Sequence, residues 1–374
     1  MKTSKNSRKS QLYYFIKTFG CQMNISDSER IAGFLELHKF KPAKDINSAD
    51  LVIFNTCGVR QMAEDRAYGQ IHNLRKKYPE IKIILTGCLA NRKDVQKRLK
   101  NKVDLFCEIK NFPEKITELI HKKLLVEYPS DSYDIKLNQY LNIKPKYSTP
   151  FSAYVPIMTG CNNFCSYCIV PYARGREVSR PTNEIIKEVK SLVRKKYKEI
   201  ILLGQNVNSY SHKKTGFAEL LDNLARNNPG INFKFLTSHP KDFSGDLMKV
   251  IAKNKNIDRE IHLPVQAGSD KILKAMNRPY TQKHYLDLIN KIKKNIPGAS
   301  FTTDIIVGFP GETKEDFAES VKIFKQVGYN EAYINKYSPR PGTAAWKLKE
   351  TVDLPEKKRR ERILRSLVGY GKKK

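Results

Sequence analysis

Gly160-Cys161-Asn162-Asn163-Phe164-Cys165-Ser166-Tyr167-Cys168 places three thiols in one short loop, directly after the strand-like run 151–159. A loop of this length brings its sulfurs to one centre at little closure entropy. A 4Fe–4S cube usually takes four cysteine ligands, so three leave one iron open to a non-protein ligand. The same logic gives a catalytic zinc its vacant position. The alternatives are a zinc knuckle and three unrelated buried thiols. Zinc prefers four N or S ligands, and no His nearby supplies the fourth. The spacing therefore reads as an iron–sulfur site.

Toward the C-terminus, strand-like runs recur at 199–203, 232–237, 260–263, 301–307 and 331–336. Helical patterns fall between them, for example at 182–196 after Pro181 and at 313–327. With 151–159 these make six βα units, enough for an open partial (βα)6 barrel. The first strand feeds the Cys loop, which places it at the carboxyl mouth where barrel active sites sit.

Toward the N-terminus, a strand at 12–17 leads to Thr18-Phe19-Gly20-Cys21. Ser26-Asp27-Ser28-Glu29 offers an N-cap with acidic first-turn residues, opening a helix to about residue 38. The run 51–55 leads to Thr56-Cys57-Gly58, a helix follows at 63–77, and 82–86 leads to Gly87-Cys88. The alternation predicts an open parallel-sheet αβα domain. Cys21, Cys57 and Cys88 each lie just past the carboxyl end of a strand, the edge where such sheets bind ligands. They read as a second three-thiolate metal site. Cys107, inside the run 103–107, reads as packing. A helix near 114–125 precedes a Pro-broken, charged linker.

The expected organisation is a basic tail at 1–11, the αβα domain at 12–128, a linker at 129–149, the barrel at 150–345 and a basic helix-like tail at 346–374. The sequence is 40% hydrophobic but has no run of about 18 apolar residues, so nothing is expected to span a membrane. The basic start lacks the apolar region of a secretory signal. A cytoplasmic location and ligand chemistry, rather than disulfides, are expected of the seven cysteines. The net charge of +31 attracts polyanions, which makes nucleic acid the leading partner. A Lys-rich bias spread over the whole chain is the bland alternative.

Further motifs carry a family likeness. Lys17-Thr18-Phe19-Gly20-Cys21-Gln22-Met23-Asn24, Asn55-Thr56-Cys57 and Gly87-Cys88 open the series. It continues with Leu203-Gly204-Gln205-Asn206-Val207-Asn208-Ser209-Tyr210, Thr237-Ser238-His239-Pro240 and His262-Leu263-Pro264-Val265-Gln266-Ala267-Gly268-Ser269. Thr303 to Thr313 and Lys336 to Thr343 close it. With the Cys-x₃-Cys-x₂-Cys loop and its aromatic before the last Cys, the chain resembles the radical S-adenosylmethionine (SAM) methylthiotransferases from Tyr13 to about Ala345. It is most similar to the subclass acting on N6-isopentenyladenosine beside the tRNA anticodon.

The resemblance implies two 4Fe–4S clusters and SAM as cofactors. The cluster on Cys161, Cys165 and Cys168 would cleave SAM to a 5′-deoxyadenosyl radical that takes the hydrogen from adenine carbon 2. The cluster on Cys21, Cys57 and Cys88 would carry the sulfur that is methylated and transferred. Tyr167 would flank the SAM adenine, and Gly204 and Gln205 would approach its methionine end. Ser238, Gln266 and Asp304, near strand ends, would face the barrel mouth. The implied partners are the tRNA anticodon stem-loop and an electron donor such as flavodoxin or ferredoxin. Threonylcarbamoyladenosine in tRNA and a ribosomal-protein aspartate are the rival substrates. A non-catalytic iron–sulfur carrier and a zinc-containing RNA-binding module are the rivals from other classes.

Several residues are open to either reading. His262 is a satisfied core histidine or a ligand. Arg174, Arg176 and Arg180 meet phosphates or form a solvated face, and Pro310-Gly311-Glu312 turns the chain. The family's C-terminal TRAM β-domain is expected to be absent, because the sequence ends in the basic stretch 356–374.

Overall fold

A computed structural model describes residues 11–59, 61–123 and 140–369. The chain divides into two compact units, 1–148 with Tyr172–Arg174, and 149–171 with 175–374. The expected linker falls partly outside the described residues, at 129–139. No described helix is long and apolar enough to cross a membrane.

The first unit runs β1 (Tyr13–Thr18), α1 (Gln22–Leu37), β2 (Lys41–Pro42), β3 (Leu51–Thr56), α2 (Gln61–Lys77), β4 (Lys82–Gly87), α3 (Lys93–Leu99), β5 (Leu105–Phe106) and α4 (Phe112–Lys123). Its sheet has the order β2-β1-β3-β4-β5, and every pairing is parallel. The central strand β3 is buried at all its residues, as a strand covered on both faces must be. Alternate β3 residues enter different cores. Leu51 and Ile53 pack with Phe34 of α1 and with Phe112 and Ile116 of α4. Val52 and Phe54 pack with Ala67 and Ile71 of α2 and with Val95 of α3.

One expectation is corrected here. Helix α1 starts at Gln22 with Cys21 as its N-cap, four residues before the expected start at Ser26. Ser26, Asp27, Ser28 and Glu29 are buried inside the helix, and the last three make tertiary contacts. Ser26 accepts from Arg30, Ser28 accepts from Asn55, and Glu29 accepts from the backbone and hydroxyl of Ser148. Long-range polar pairing occupies Asp27, Ser28 and Glu29, and a bond from the next turn occupies Ser26.

The second unit contains β6 (Ser152–Pro156), β7 (Met158–Thr159), the start of α5 (Val170–Arg174, of which Tyr172–Arg174 count with the first unit), β8 (Val178–Ser179), α6 (Thr182–Arg194), β9 (Glu199–Leu203), the hairpin β10 (Ser211–His212) and β11 (Thr215–Gly216), and α7 (Phe217–Asn227). It continues with β12 (Asn232–Phe235), α8 (Gly245–Lys253), β13 (Glu260–His262), α9 (Asp270–Ala275), α10 (Gln282–Asn295), β14 (Ser300–Val307), α11 (Lys314–Val327), β15 (Glu331–Lys336) and α12 (Leu354–Ser366). Two parallel ladders form, β12-β9-β6 and β13-β14-β15. A parallel bridge from Phe233 to Ile257, just before β13, joins them in chain order. The result is a six-stranded α/β array of the partial-barrel kind. The run 151–159 splits, because β6 pairs with β9 as far as Pro156 while β7 turns to pair antiparallel with β8.

The basic C-terminal stretch contains a packed helix. Helix α12 buries Lys357, Arg360 and Leu364. Arg360 donates to Glu312 at 2.6 Å, and the same carboxylate accepts from the Gly308 amide at 2.5 Å. The segment Pro310-Gly311-Glu312 thus anchors this helix as well as turning the chain.

Candidate metal centres and active site

Strand register assembles the first trio. Thr18 lies opposite Asn55, and Thr56 opposite Gly87, so the loops after β1, β3 and β4 leave the sheet side by side. Phe19 donates its amide to Asn55 O, and Cys88 donates to Thr56 O, both at 2.8 Å. Gly20 holds φ +127°, and a Cβ there would meet Cys57 Cβ at 2.6 Å, so only glycine permits that approach. Cys21, Cys57 and Cys88 therefore share one edge. Cys21 is exposed, while Cys57 and Cys88 are buried.

Beneath them lies a buried amide network. Asn24 Nδ2 donates to Asn55 Oδ1 and to Thr56 O, both at 3.0 Å. Asn55 Nδ2 donates to Asn24 O at 2.8 Å and to Ser28 Oγ at 2.9 Å. The Cys21 thiol donates to Asn24 Oδ1. Burial of its thiol raises the Cys21 pKa, with Cys88 adding to the rise and Arg174 opposing it. Two features favour the thiolate there: its place at the N-terminus of a 16-residue helix, and Arg174, buried in an ion pair with Asp27 at 2.6 Å.

The second trio sits on one loop, held from another part of the second unit. Gly160 at φ +75° turns β7 into the loop, and Cys161 donates its amide to Gly175 O. The corner after α9 then clamps the segment. Asn277, itself at φ +56°, donates to Asn163 O and Phe164 O at 3.2 and 3.0 Å. The Ser166 amide and hydroxyl donate to Met276 O and Ala275 O. Arg278 Nη1 donates to Cys165 Sγ at 3.4 Å. Burial raises the Cys161 pKa, opposed by Asn163. Burial also pushes the Tyr167 phenol up, opposed by Arg278.

Of the remaining expected site residues, Gly204, Gln205, Ser238 and Gln266 follow the ends of β9, β12 and β13, whereas Asp304, expected near a strand end, lies in the middle of β14. Gly204 packs against Met158, leaving no room for a Cβ. Gln205 Oε1 and Ser238 Oγ are buried and have no hydrogen-bond partner among the described residues. Gln266 takes φ +64°, and Thr237 takes +68°. Such conformations cost energy and cluster at functional sites. Asp304 is engaged by His262, whose ring reaches Asp304 Oδ2 at 3.0 Å and Thr302 Oγ1 at 2.9 Å. His262 is thus satisfied on both nitrogens.

Two expectations on phosphate-binding arginines are corrected. Arg174 is ion-paired with Asp27, and Arg180 is buried against Glu188 at 2.5 Å. Buried, paired guanidiniums do not present a solvated face. Arg176 stacks on the Phe164 ring at 4.4 Å. Cys107 is a core thiol whose burial pushes its pKa up to about 12.

Sequence reading missed Asn24 and Asn55, although both stand inside quoted motifs. It also missed Arg278 and Asn277, which no local spacing connects to the Cys loop. Asn206, Asn208 and His239 join Gln205 and Ser238 in presenting buried, unpartnered polar atoms. Burial, aided by Arg278 and Lys241, lowers the His239 pKa to about 2. His239 accepts from the Lys241 amide through Nδ1, so Nε2 carries the proton.

These features can be tested against the implied cofactors. Each buried polar atom left unmatched costs about 1–3 kcal/mol, and five residues with such atoms on two adjacent loops fit a polar ligand that repays the cost. Neither trio, nor any other described group of His, Cys, Asp and Glu, converges on a single metal ion. A tetrahedral zinc would draw its sulfurs to within about 4 Å of one another. A cube takes one thiolate per iron, which suits all-cysteine sets in which Cys21 lies close enough to feel the charge of Cys88, and Cys161 that of Cys165.

Known proteins agree in arrangement. The Radical SAM superfamily model matches residues 155–324, and an uncharacterized protein family, UPF0004, matches 13–108. A tRNA-2-methylthio-N(6)-dimethylallyladenosine synthase of Carboxydothermus hydrogenoformans is 44% identical over 361 residues, covering 93% of this chain and 81% of the relative. The same-named protein of Syntrophomonas wolfei is 45% identical over 370 residues, covering 96% and 83%. Among solved structures, the radical SAM methyltransferase TsrM of Kitasatospora setae superposes with a TM-score of 0.65 at 14% identity, covering 90% of this chain and 75% of that one. At that identity the likeness concerns the fold.

Proposed function

The chain belongs to the radical SAM methylthiotransferases, the family of the tRNA-2-methylthio-N(6)-dimethylallyladenosine synthases, and on that premise we propose that it adds a methylthio group to carbon 2 of N6-isopentenyladenosine next to the tRNA anticodon. The observation that carries the reading is the pair of three-thiol sets, one gathered past the carboxyl ends of the parallel strands β1, β3 and β4 and one on the single loop that follows β7.

Cys161, Cys165 and Cys168 would hold the cube whose open iron takes SAM, and Cys21, Cys57 and Cys88 the auxiliary cube. When bound, the cubes and SAM supply one-electron chemistry and sulfur for an aromatic C–H that offers no acidic proton or leaving group. The protein binds, orients and shields. The orphaned atoms of Gln205 and Ser238 offer hydrogen bonds to the amino-acid end of SAM. Gln266 presents its side chain from a strained turn, Asp304 is oriented by His262, and Tyr167 borders the adenine. Asn24 and Asn55 keep the loops of Cys21 and Cys57 in register. A small electron-transfer protein of the flavodoxin or ferredoxin kind would deliver the electron. The net charge of +31 supports tRNA binding through phosphate contacts, with affinity that falls as salt rises.

The test is anaerobic incubation of reconstituted protein with SAM, dithionite and isopentenylated tRNA, followed by nucleoside mass spectrometry. The 2-methylthio product together with 5′-deoxyadenosine is expected. Methylthiolation of a different nucleoside would overturn the substrate, and the absence of 5′-deoxyadenosine would overturn the radical assignment. Filter binding should show tRNA affinity dropping at least about tenfold between 50 and 200 mM salt; a flat profile would contradict the electrostatic role.

A further inference from the structure

Arg278 is a buried cation with no carboxylate partner among the described residues. It is 8% exposed. Its three hydrogen-bonding nitrogens are all used: Nε donates to Tyr280 Oη at 2.9 Å, Nη2 to Pro264 O at 3.2 Å, and Nη1 to Cys165 Sγ at 3.4 Å. Tyr280 Oη in turn donates within reach of Pro264 O and Val265 O. An unpaired buried charge is expensive, and one phenol and one carbonyl contact do not neutralise it. The anionic group within reach is the thiolate of Cys165 and whatever that thiolate binds.

We propose that Arg278 is the counter-ion of the Cys161/Cys165/Cys168 cluster, a positioning residue that raises the cluster's reduction potential and ties its loop to the strand end bearing Gln266. This rests on the cluster reading above. Three thiolates outweigh the charge of an oxidised cube core, so the site is net anionic and gains one more negative charge on reduction. A fixed positive charge and an N–H···S hydrogen bond, in a poorly solvated place, stabilise the more negative state. Net charge and hydrogen bonds to sulfur are among the levers that set such potentials. The same guanidinium spans from Cys165 to Pro264, two residues before Gln266, so the sulfur and the expected SAM contact share one rigid support. Arginine's planar fork holds three acceptors at once, which a lysine ammonium does not reproduce in that geometry.

The experiment is a redox titration of the full-length, anaerobically reconstituted protein, following by electron paramagnetic resonance the signal that SAM perturbs. The auxiliary cluster's signal in the same sample is the reference. Arg278→Gln should lower the reduced-to-oxidised ratio at the wild-type midpoint at least tenfold, equivalent to about 59 mV for one electron. Arg278→Lys, which keeps the charge but not the fork, should fall between the two, and the auxiliary signal should not move. If Arg278→Gln fails to hold the cube, the Lys variant decides on the same criterion. An unchanged midpoint in either variant with its iron complement intact overturns the proposal. So does an equal shift of both clusters, which would mark a general structural effect. Failure of the function reading would look different: no SAM-responsive cluster in the wild type at all.

Discussion

The two thiol trios are built by opposite means. Cys21, Cys57 and Cys88 come from three strands and meet because a parallel sheet aligns their ends, over a buried amide network that belongs to the unit's interior. Cys161, Cys165 and Cys168 come from one loop, whose shape is set by a corner more than a hundred residues later in the chain. The first site is inseparable from the folding of its unit, whereas the second is an attachment to a finished barrel. Local damage should therefore spread in the first and stay confined in the second.

The sharpest way to break this comparison is to remove one thiol from each trio. Cys165→Ala should abolish 5′-deoxyadenosine formation completely. Cys57→Ala should leave 5′-deoxyadenosine formation near the wild-type level and abolish the methylthio product. Chromatography of the small molecules, with mass spectrometry of the nucleosides, reads both. Loss of SAM cleavage in the Cys57 variant would show that the trios are not independent.

The supports come next. Asn55→Ala removes two donated hydrogen bonds and one accepted bond inside a fully buried network, and should destabilise the first unit by about 3 kcal/mol. Asn277→Gly keeps the positive φ accessible and removes only the two bonds to the Cys loop. It should leave the unfolding free energy from denaturant titration within about 1 kcal/mol of wild type while hastening loss of the SAM-responsive cluster to a chelator. Equal global effects of the two substitutions would erase the distinction.

The smallest effect is on pH dependence. His239 is buried neutral, its pKa lowered from 6.5 to about 2. Below pH 6.5 the unfolded chain takes up a proton that the folded chain refuses, so this contribution is intact above 6.5 and is lost as pH falls. The loss is about 1.4 kcal/mol per pH unit. His239→Asn should flatten the acid limb of the second unit's stability between pH 6.5 and 5.5. An unchanged slope in denaturant titrations would remove His239 from the account.

The sequence made the strands legible because they are continuous apolar runs, and a strand buried on both faces needs little else. Where each strand ended also located both trios, since the cysteines follow those ends directly. Helix α1 was misplaced because Asp27 and Glu29 look like first-turn cap residues until their distant partners Arg174 and Ser148 are known. Arg174 and Arg180 misled for a related reason, as Asp27 and Glu188 lie on other segments. Arg278 was invisible because 113 positions separate it from Cys165 and hydrophobic periodicity does not register a buried cation. Polar side chains serving tertiary contacts are the part of this molecule that pattern reading does not reach.

The central claim is that the chain holds two separate cubes, one on each set of three thiols. Iron and acid-labile sulfide analysis of anaerobically reconstituted protein tests it directly. The account predicts about eight irons per wild-type chain and about four in each of two variants, one with Cys21, Cys57 and Cys88 replaced by Ala and one with Cys161, Cys165 and Cys168 replaced. A wild-type value near four, or a variant that keeps the full wild-type iron content, would contradict it.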